Sequence, residues 1–287
     1  MTVMTQPKLD VVPLTRHIGA EIRGLDLRSQ PDEATVKAIY QAWLDHLVLV
    51  FRGQSLSPED LQRVTRYFGE PGVTRRPAKY FPKGYTGLPD GMMLISNIRE
   101  NGEPIGALPD GEMMFHHDRI HTEQPDKATL LYSVEIPSTG GNTLFASGYA
   151  AYETLEPALR QKLEGRRAFH HYNYDAVKKN DPRGTDAFAE CVHPVFRTNE
   201  DTGRKAVYVN RLMTMGIVDM PQAESEPLLG ALFDHAERRE FVYEHVWQVG
   251  DLVLWENRCS SHARTDFAST ERRLMLRTTV KGDVRPY

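Results

Sequence analysis

From residue 128 onward the chain repeatedly produces short runs of β-branched, leucine and aromatic residues, most of them closed by turn-forming residues. They are "ATLLYSVEI", "TLFAS", "RRAFHHYNY", "KAVYVN", "DLVLWEN" and "RRLMLRTTVKG". Runs of that length and composition predict strands, and the order in which they come limits the fold. Helical patterns, "GYAAYETLEPALRQKLEG" and "ESEPLLGALFDHAERR", stand between only some of them. The regular strand–helix alternation of a doubly wound parallel sheet is therefore missing. Upstream, "SQPDEATVKAIYQAWLDH" sets cap-type residues and acids ahead of apolar positions at helical spacing. It runs directly into the strand-like "LVLVFRG". "SPEDLQRVTRYFGE" predicts a second helix, with Ser57 at the N-cap and Pro58 in its first turn. The expectation is a β-rich α+β fold with flanking helices.

Nothing divides the chain. There is no internal repeat, no low-complexity segment and no Pro/Gly/Ser linker, so residues 1–287 are expected to form one domain with a sizeable core. The one long irregular stretch, roughly 70 to 112, is rich in Pro, Gly and basic residues, and loops of that length are usually functional. A net charge of −4 gives no reason to expect nucleic acid or an anionic membrane surface as partner. The opening "MTVMTQPKLDVVPL" lacks the basic and continuous apolar regions of a signal peptide. No apolar run approaches the ~18 residues of a membrane span. With only Cys191 and Cys259 there is no disulfide framework, and a reducing cytoplasm is the expected location.

The chemistry is concentrated in "EMMFHHDRIH", residues 112 to 121. On a helix, His117 and His121 would share a face at the spacing of the zinc-protease motif H-E-x-x-H. Position 118 is Asp where that motif needs Glu, and "DRIHTEQPDK" soon runs into a turn. On a strand, His116 and Asp118 share a face while His117 points away. The flanking "EMMF" and "ATLLYSV" favour the strand. Two histidines and a carboxylate on one face of an iron leave three positions open, so a third ligand is required. His262 in "WENRCSSHARTDF" stands out, following one strand and preceding another rich in arginine. In "ERRLMLRTTV", Arg273 and Arg277 project from one strand face, roughly 13 Å apart. Each planar guanidinium suits a carboxylate or sulfonate.

With these motifs in view, the sequence resembles the taurine dioxygenase and 2,4-dichlorophenoxyacetate dioxygenase family of iron(II)- and 2-oxoglutarate-dependent oxygenases. The resemblance runs from about "GAEIRGLDL" to "VKGD" and carries "FHHD", "IPSTGGNTLFASGYAAYETL", "DLVLWENRCSSHA" and "ERRLMLRTTV" in the family's order. It implies a double-stranded β-helix (jelly roll) core. It implies Fe(II) held by His116, Asp118 and His262, and 2-oxoglutarate and O2 as cosubstrates. Arg273 stands where the family clamps the distal carboxylate of the keto acid, and Thr143 where a threonine assists it. Arg277 stands where taurine dioxygenase contacts its substrate sulfonate. The implied reaction is hydroxylation of a small organic anion, a sulfonate, carboxylate or aryloxyalkanoate, with or without C–S or C–O cleavage. A homo-oligomer is the family habit.

The sequence departs from taurine dioxygenase around the substrate. Phe115 replaces the tryptophan before the first ligand, and Glu112 stands where that enzyme carries an amide. The loop "RRPAKYFPKGY" offers Arg76, Lys79 and Tyr80 in place of a His/Tyr pair. Glu112, Tyr80 and His121 join Arg277 as candidate substrate contacts. Two other classes stay open on the residues alone: a zinc-dependent hydrolase using His117 and His121, and a catalytically silent ligand-binding β-helix protein. His170, His171, His193, Cys259, Met113 and Met114 read as packing residues.

Overall fold

A computed structural model describes residues 9–73, 88–108, 111–172 and 190–287. The first strands, β1 (Asp10–Pro13) and β2 (Ala20–Arg23), precede helix α1 (Glu33–His46), strand β3 (Val48–Phe51) and helix α2 (Pro58–Arg66). Then come β4 (Met93–Ser96), the short pair β5 (Arg99–Glu100) and β6 (Glu103–Pro104), β7 (Met113–His116), β8 (Ala128–Glu135) and β9 (Thr143–Ser147). Helices α3 (Gly148–Glu153) and α4 (Pro157–Leu163) lead into β10 (Arg167–His171), β11 (Glu190–Pro194), β12 (Phe196–Thr198), β13 (Lys205–Val207) and β14 (Thr214–Ile217). Helix α5 (Gln222–Ala236) precedes β15 (Val242–His245), β16 (Leu252–Glu256), β17 (Ser260–Arg264) and β18 (Leu274–Val280).

Two sheets carry the architecture. One has seven strands in the order β1-β2-β3-β16-β8-β18-β4, and the other has four, β15-β9-β17-β7. Pairing is antiparallel throughout both except between β2 and β3. The protein is thus β-rich α+β, as the order of strand signals implied. The central strands read as unbroken apolar runs because both of their faces are covered. On one face, Leu49, Phe51, Leu130, Leu252, Leu254 and Leu276 pack with Ile39 and Trp43 of α1 and Leu61 and Val64 of α2. The alternate residues Val48, Val50, Leu131, Val253, Trp255 and Met275 turn the other way, onto Phe145 and Tyr243 of the four-stranded sheet. That period of two puts a second core between the sheets. α2 begins as its sequence predicts, with Ser57 and Asp60 forming a reciprocal capping box and Pro58 at its start.

Two expectations need correction. "GYAAYETLEPALRQKLEG" is not one helix but two. Ser147 caps α3, and Glu156 caps α4 by accepting from Leu159 N at 2.9 Å. Pro157 starts α4 because it has no N–H to continue the preceding turn. The stretch before residue 112 is less irregular than it reads, since β4 pairs with β18 and β5 with β6. His262 follows β16 as expected, and it also lies within a further strand, β17, that the sequence pattern did not mark. No helix among the described residues is long and apolar enough to cross a membrane.

Candidate metal and keto-acid site

β7 and β17 are neighbours in the four-stranded sheet, and their register sets His116 directly opposite His262. The two rings stack obliquely with centroids 4.1 Å apart. β7 ends at His116, and Asp118 lies in the turn that follows, where Arg119 has φ 55° and Thr122 N donates to Arg119 O at 2.9 Å. The turn returns the Asp118 carboxylate toward the strand face, so ligand atoms of His116, Asp118 and His262 lie within 4.8 Å of one another, all buried. That spread is close to twice the ~2.0–2.2 Å of a metal bond to nitrogen or oxygen. Among the described residues it is the only group of three or more such side chains so close together.

Each member is oriented from behind. His116 Nδ1 lies 3.0 Å from Met114 O. With the Nδ1 proton donated there, Nε2 is left as the lone-pair nitrogen that a metal needs. His262 is walled by Trp255 and Phe145, at ring distances of 4.8 and 6.3 Å. Its Nε2 faces Asp118 Oδ1 at 3.9 Å, too far for a hydrogen bond. The other carboxylate oxygen, Oδ2, accepts from Thr129 Oγ1 and from Arg277 Nη2, both at 2.7 Å. Thr129 in turn accepts from Asn257 Nδ2 at 2.8 Å, and Asn257 Oδ1 accepts from Trp255 Nε1 at 2.9 Å. Neither Thr129 nor Asn257 was marked by sequence pattern. Sheet pairing alone brings β8 beneath Asp118, although Asn257 does sit in the "WEN" that precedes the His262 segment.

Electrostatics suit coordination at neutral pH. Burial pushes both His116 and His262 below the ordinary histidine range, so their rings are neutral. Burial works against the Asp118 carboxylate, but the Arg277 guanidinium, with the Thr129 hydrogen bond added, outweighs it and holds Asp118 well below the usual range. Thr129→Val should weaken metal affinity by roughly 10–100-fold, the range for loss of such a supporting bond. Equilibrium dialysis of iron against the variant measures this directly.

A second construction is built against the same strand, β17. The turn before β9 uses Gly140 and Gly141, both at positive φ, and a Cβ on Gly140 would come within 2.3 Å of Asp266 O. This tight turn delivers Thr143 as the first residue of β9, opposite Arg264 of β17 and His245 of β15. Arg273 enters just before β18. Its backbone N–H donates to Asn97 Oδ1 at 2.9 Å, and its side chain passes Gly141. The guanidinium is buried, and among the described residues its Nε and Nη1 have no hydrogen-bond partner. Burial, and then the neighbouring Arg264, push it down to about 9. A buried cation so placed is short of an anion, and a carboxylate is the group whose geometry matches it. Arg264, itself buried on the strand that carries His262, is a cation the sequence reading did not mark.

The remaining candidates fall elsewhere. β7 ends at His116, so the expected strand alternation orients neither Asp118 nor His117; Asp118 joins the ligand group through the turn and His117 stands outside it. Its Nδ1 meets Asn210 Nδ2 at 3.2 Å, and its ring lies 4.8 Å from Tyr208. His121 is buried against Tyr172, with ring centroids 4.8 Å apart. Residues 118–121 are turn rather than helix, so the zinc-hydrolase pairing of His117 with His121 lacks the element it depends on. Glu112 is exposed at the head of β7. Tyr80, with Arg76 and Lys79, lies outside the described residues. His170 and His193 form a buried pair of rings 5.7 Å apart, away from the ligand group.

Burial holds His193 down at about 4 and His170 well below its ordinary value. The unfolded chain therefore takes up protons below pH ~6.5 that the folded chain refuses. Stability should fall as pH drops from 6.5 toward 4, by at most roughly 1.4 kcal/mol per pH unit for each ring. Urea titrations between pH 7.5 and 5 give the slope, and His193→Gln should flatten it.

Two imidazoles and a carboxylate converging in a β-rich scaffold are the donor set of the non-haem iron oxygenases. Residues 10–279 match the family model described as "Taurine catabolism dioxygenase TauD, TfdA family". The chain belongs to the TauD, TfdA family, and it is a 2-oxoglutarate-dependent dioxygenase with iron as its metal. It is 36% identical over 292 residues to pentalenolactone F synthase of Streptomyces avermitilis, covering 93% of this chain and 92% of that one. It is 32% identical over 288 residues to the alpha-ketoglutarate-dependent 2,4-dichlorophenoxyacetate dioxygenase of Cupriavidus pinatubonensis, covering 94% and 97%. Among solved structures it resembles a taurine dioxygenase from Burkholderia xenovorans, with TM-score 0.80, 32% identity and coverage of 98% and 93%.

Proposed function

We propose that this enzyme hydroxylates a small organic anion, with Fe(II) held by His116, Asp118 and His262 and 2-oxoglutarate anchored by Arg273 and Thr143. The observation that carries the assignment is the buried ligand group together with a buried guanidinium whose Nε and Nη1 have no partner among the described residues, with Arg264 of β17 acting on both. When bound, iron and keto acid together supply the oxidising power, consuming O2 and releasing succinate and CO2 as a substrate C–H is hydroxylated. The chain's own tasks are to bind, orient and keep water out. His116 and His262 offer neutral lone pairs, and Asp118 offers a charge already fixed by Thr129 and Arg277. Arg273 sets the keto acid's direction by bidentate pairing at its far end. Phe145 and Trp255 wall the His262 side with apolar rings.

Arg277 is the proposed anchor for the anionic end of the substrate. It is half-buried beside Asp118, which supports a role next to the metal and fixes which C–H faces it. Glu112, exposed at the head of β7, and His121, buried past the ligand turn, flank the ligands and are the further residues proposed to shape selection. Tyr80 completes that set from outside the described residues. The substrate class proposed is a sulfonate, carboxylate or aryloxyalkanoate; relatives named for taurine, 2,4-dichlorophenoxyacetate and pentalenolactone F bracket it.

The two facing sheets are read as a double-stranded β-helix, and the whole of 1–287 as one dioxygenase domain. A homo-oligomer in a reducing cytoplasm is the proposed setting, supported by two buried free thiols, Cys191 and Cys259. The test is succinate release from enzyme supplied with Fe(II), ascorbate, 2-oxoglutarate and a panel of small sulfonates, carboxylates and sulfate esters. One panel member should raise succinate formation in proportion to its own hydroxylation. A metal-dependent hydrolysis that persists without oxygen would overturn the proposal.

A further inference from the structure

We propose that Trp247 is a positioning residue for keto-acid binding, acting through the Thr143 hydroxyl. Trp247 lies just past the end of β15, buried between the two sheets. Its indole Nε1 donates to Thr143 Oγ1 at 3.1 Å. An indole N–H can only donate, so this contact occupies a lone pair of the hydroxyl and turns the hydroxyl's own proton elsewhere. Among the described residues that proton has no acceptor, although Thr143 is itself buried. Thr143 pairs in register with Arg264, the cation that also acts on Arg273, so a carboxylate held by Arg273 is the acceptor we assign to that proton. A hydroxyl pinned from behind donates to a carboxylate without first losing its rotational freedom.

The indole is itself held in place. The His245 ring meets it edge-on, with centroids 4.5 Å apart and planes at 84°. His245 is fixed at both nitrogens: Tyr243 Oη lies 2.8 Å from Nδ1, and Asp251 Oδ2 lies 3.0 Å from Nε2. Asp251 also pairs with Arg52 and accepts from Gln248 N at 2.8 Å. The chain Arg52, Asp251, His245, Trp247, Thr143 therefore runs from the seven-stranded sheet to the keto-acid pocket. Its rigidity is what would let one hydroxyl proton be aimed.

The inference rests on the assignment of Thr143 and Arg273 to 2-oxoglutarate, so its test separates the two. Calorimetric titration of 2-oxoglutarate into the Fe(II) enzyme under nitrogen compares wild type, Trp247→Phe, Thr143→Val and the double variant. Trp247→Phe keeps the packing and removes the donor. It should weaken affinity about 3- to 10-fold, Thr143→Val should do likewise, and the double variant should be no weaker than Thr143→Val alone. Turnover at saturating keto acid should stay within about twofold for Trp247→Phe, so the loss appears in KM rather than kcat. Independent losses that multiply in the double variant, or unchanged affinity in Trp247→Phe with a loss in Thr143→Val, would overturn the role of Trp247. Normal affinity in both Thr143→Val and Arg273→Met would instead overturn the keto-acid assignment beneath it.

A second readout avoids the Trp247 variant. With indole nitrogens labelled, one of the three tryptophan N–H resonances should move both on adding 2-oxoglutarate and in Thr143→Val. If no single resonance responds to both, the coupling is absent and the proposal fails.

Discussion

Arg273→Met should raise the melting temperature of the ligand-free enzyme while removing most of its affinity for 2-oxoglutarate. The guanidinium is buried, Arg264 stands close enough to oppose it, and its Nε and Nη1 have no partner among the described residues. An unbalanced buried charge costs several kcal/mol relative to an apolar side chain of similar length. Part of that cost relaxes through water and side-chain movement, so the expected gain is roughly 1–3 kcal/mol. For a chain of this size each kcal/mol corresponds to about 2–4 °C in melting temperature. Loss of a buried charge-assisted pair costs about 2–5 kcal/mol in binding, roughly 30-fold to several thousand-fold in affinity. Stability and binding should therefore move in opposite directions. Thermal melts with and without the keto acid read both: wild type should rise with 2-oxoglutarate by mass action, and the variant should start higher and rise little. A variant that melts lower and still responds to the keto acid would mean that Arg273 is a structural cation.

His262→Ala should reduce keto-acid turnover to the limit of detection. Loss of an outer partner costs ~10–100-fold, and loss of one ligand from a three-ligand site costs more, because it removes a bond and opens the site to water. His262 is one of only two imidazoles in the group, and its ring is already neutral and walled by Trp255 and Phe145. Asp118→Ala should behave alike, with an added penalty, since Arg277 would lose the carboxylate it pairs with. His117→Gln is the matching control: it changes the residue next to His116 that stands outside the ligand group and should retain most turnover. Succinate release measured on the four proteins gives the comparison, and comparable loss in His117→Gln and His262→Ala would contradict the ligand assignment.

How much of this was legible beforehand differs from element to element. The strand signals in "ATLLYSVEI", "TLFAS" and "DLVLWEN" were strong because those strands are covered on both faces and read as unbroken apolar runs. β17 carried no such signal. "SSHAR" is polar because its inner face builds the site, and polarity is what a propensity reading takes for loop. The split between α3 and α4 was hidden because the apolar spacing continues through Thr154–Glu156 even though Pro157 cannot. His116, Asp118, His262 and Arg273 stand in recognisable motifs, but strand alternation could not place Asp118 and His117, because β7 ends at His116 and both lie beyond it. Thr129, Asn257 and Trp247 were not recognisable, since each reaches the site through a pairing register or a turn rather than through nearby sequence. The pairing of Arg277 with Asp118 was also out of reach, because residues 118 and 277 meet only when the two sheets face each other.

The most direct measurement is a crystal structure of the enzyme loaded with Fe(II) and 2-oxoglutarate under nitrogen, with data collected at the iron absorption edge. One anomalous peak per chain is expected, bonded to His116 Nε2, Asp118 Oδ1 and His262 Nε2, with keto-acid density running from it to Arg273 and Thr143. A peak between His117 and His121, or no ordered iron beside Asp118, would contradict the ligand assignment.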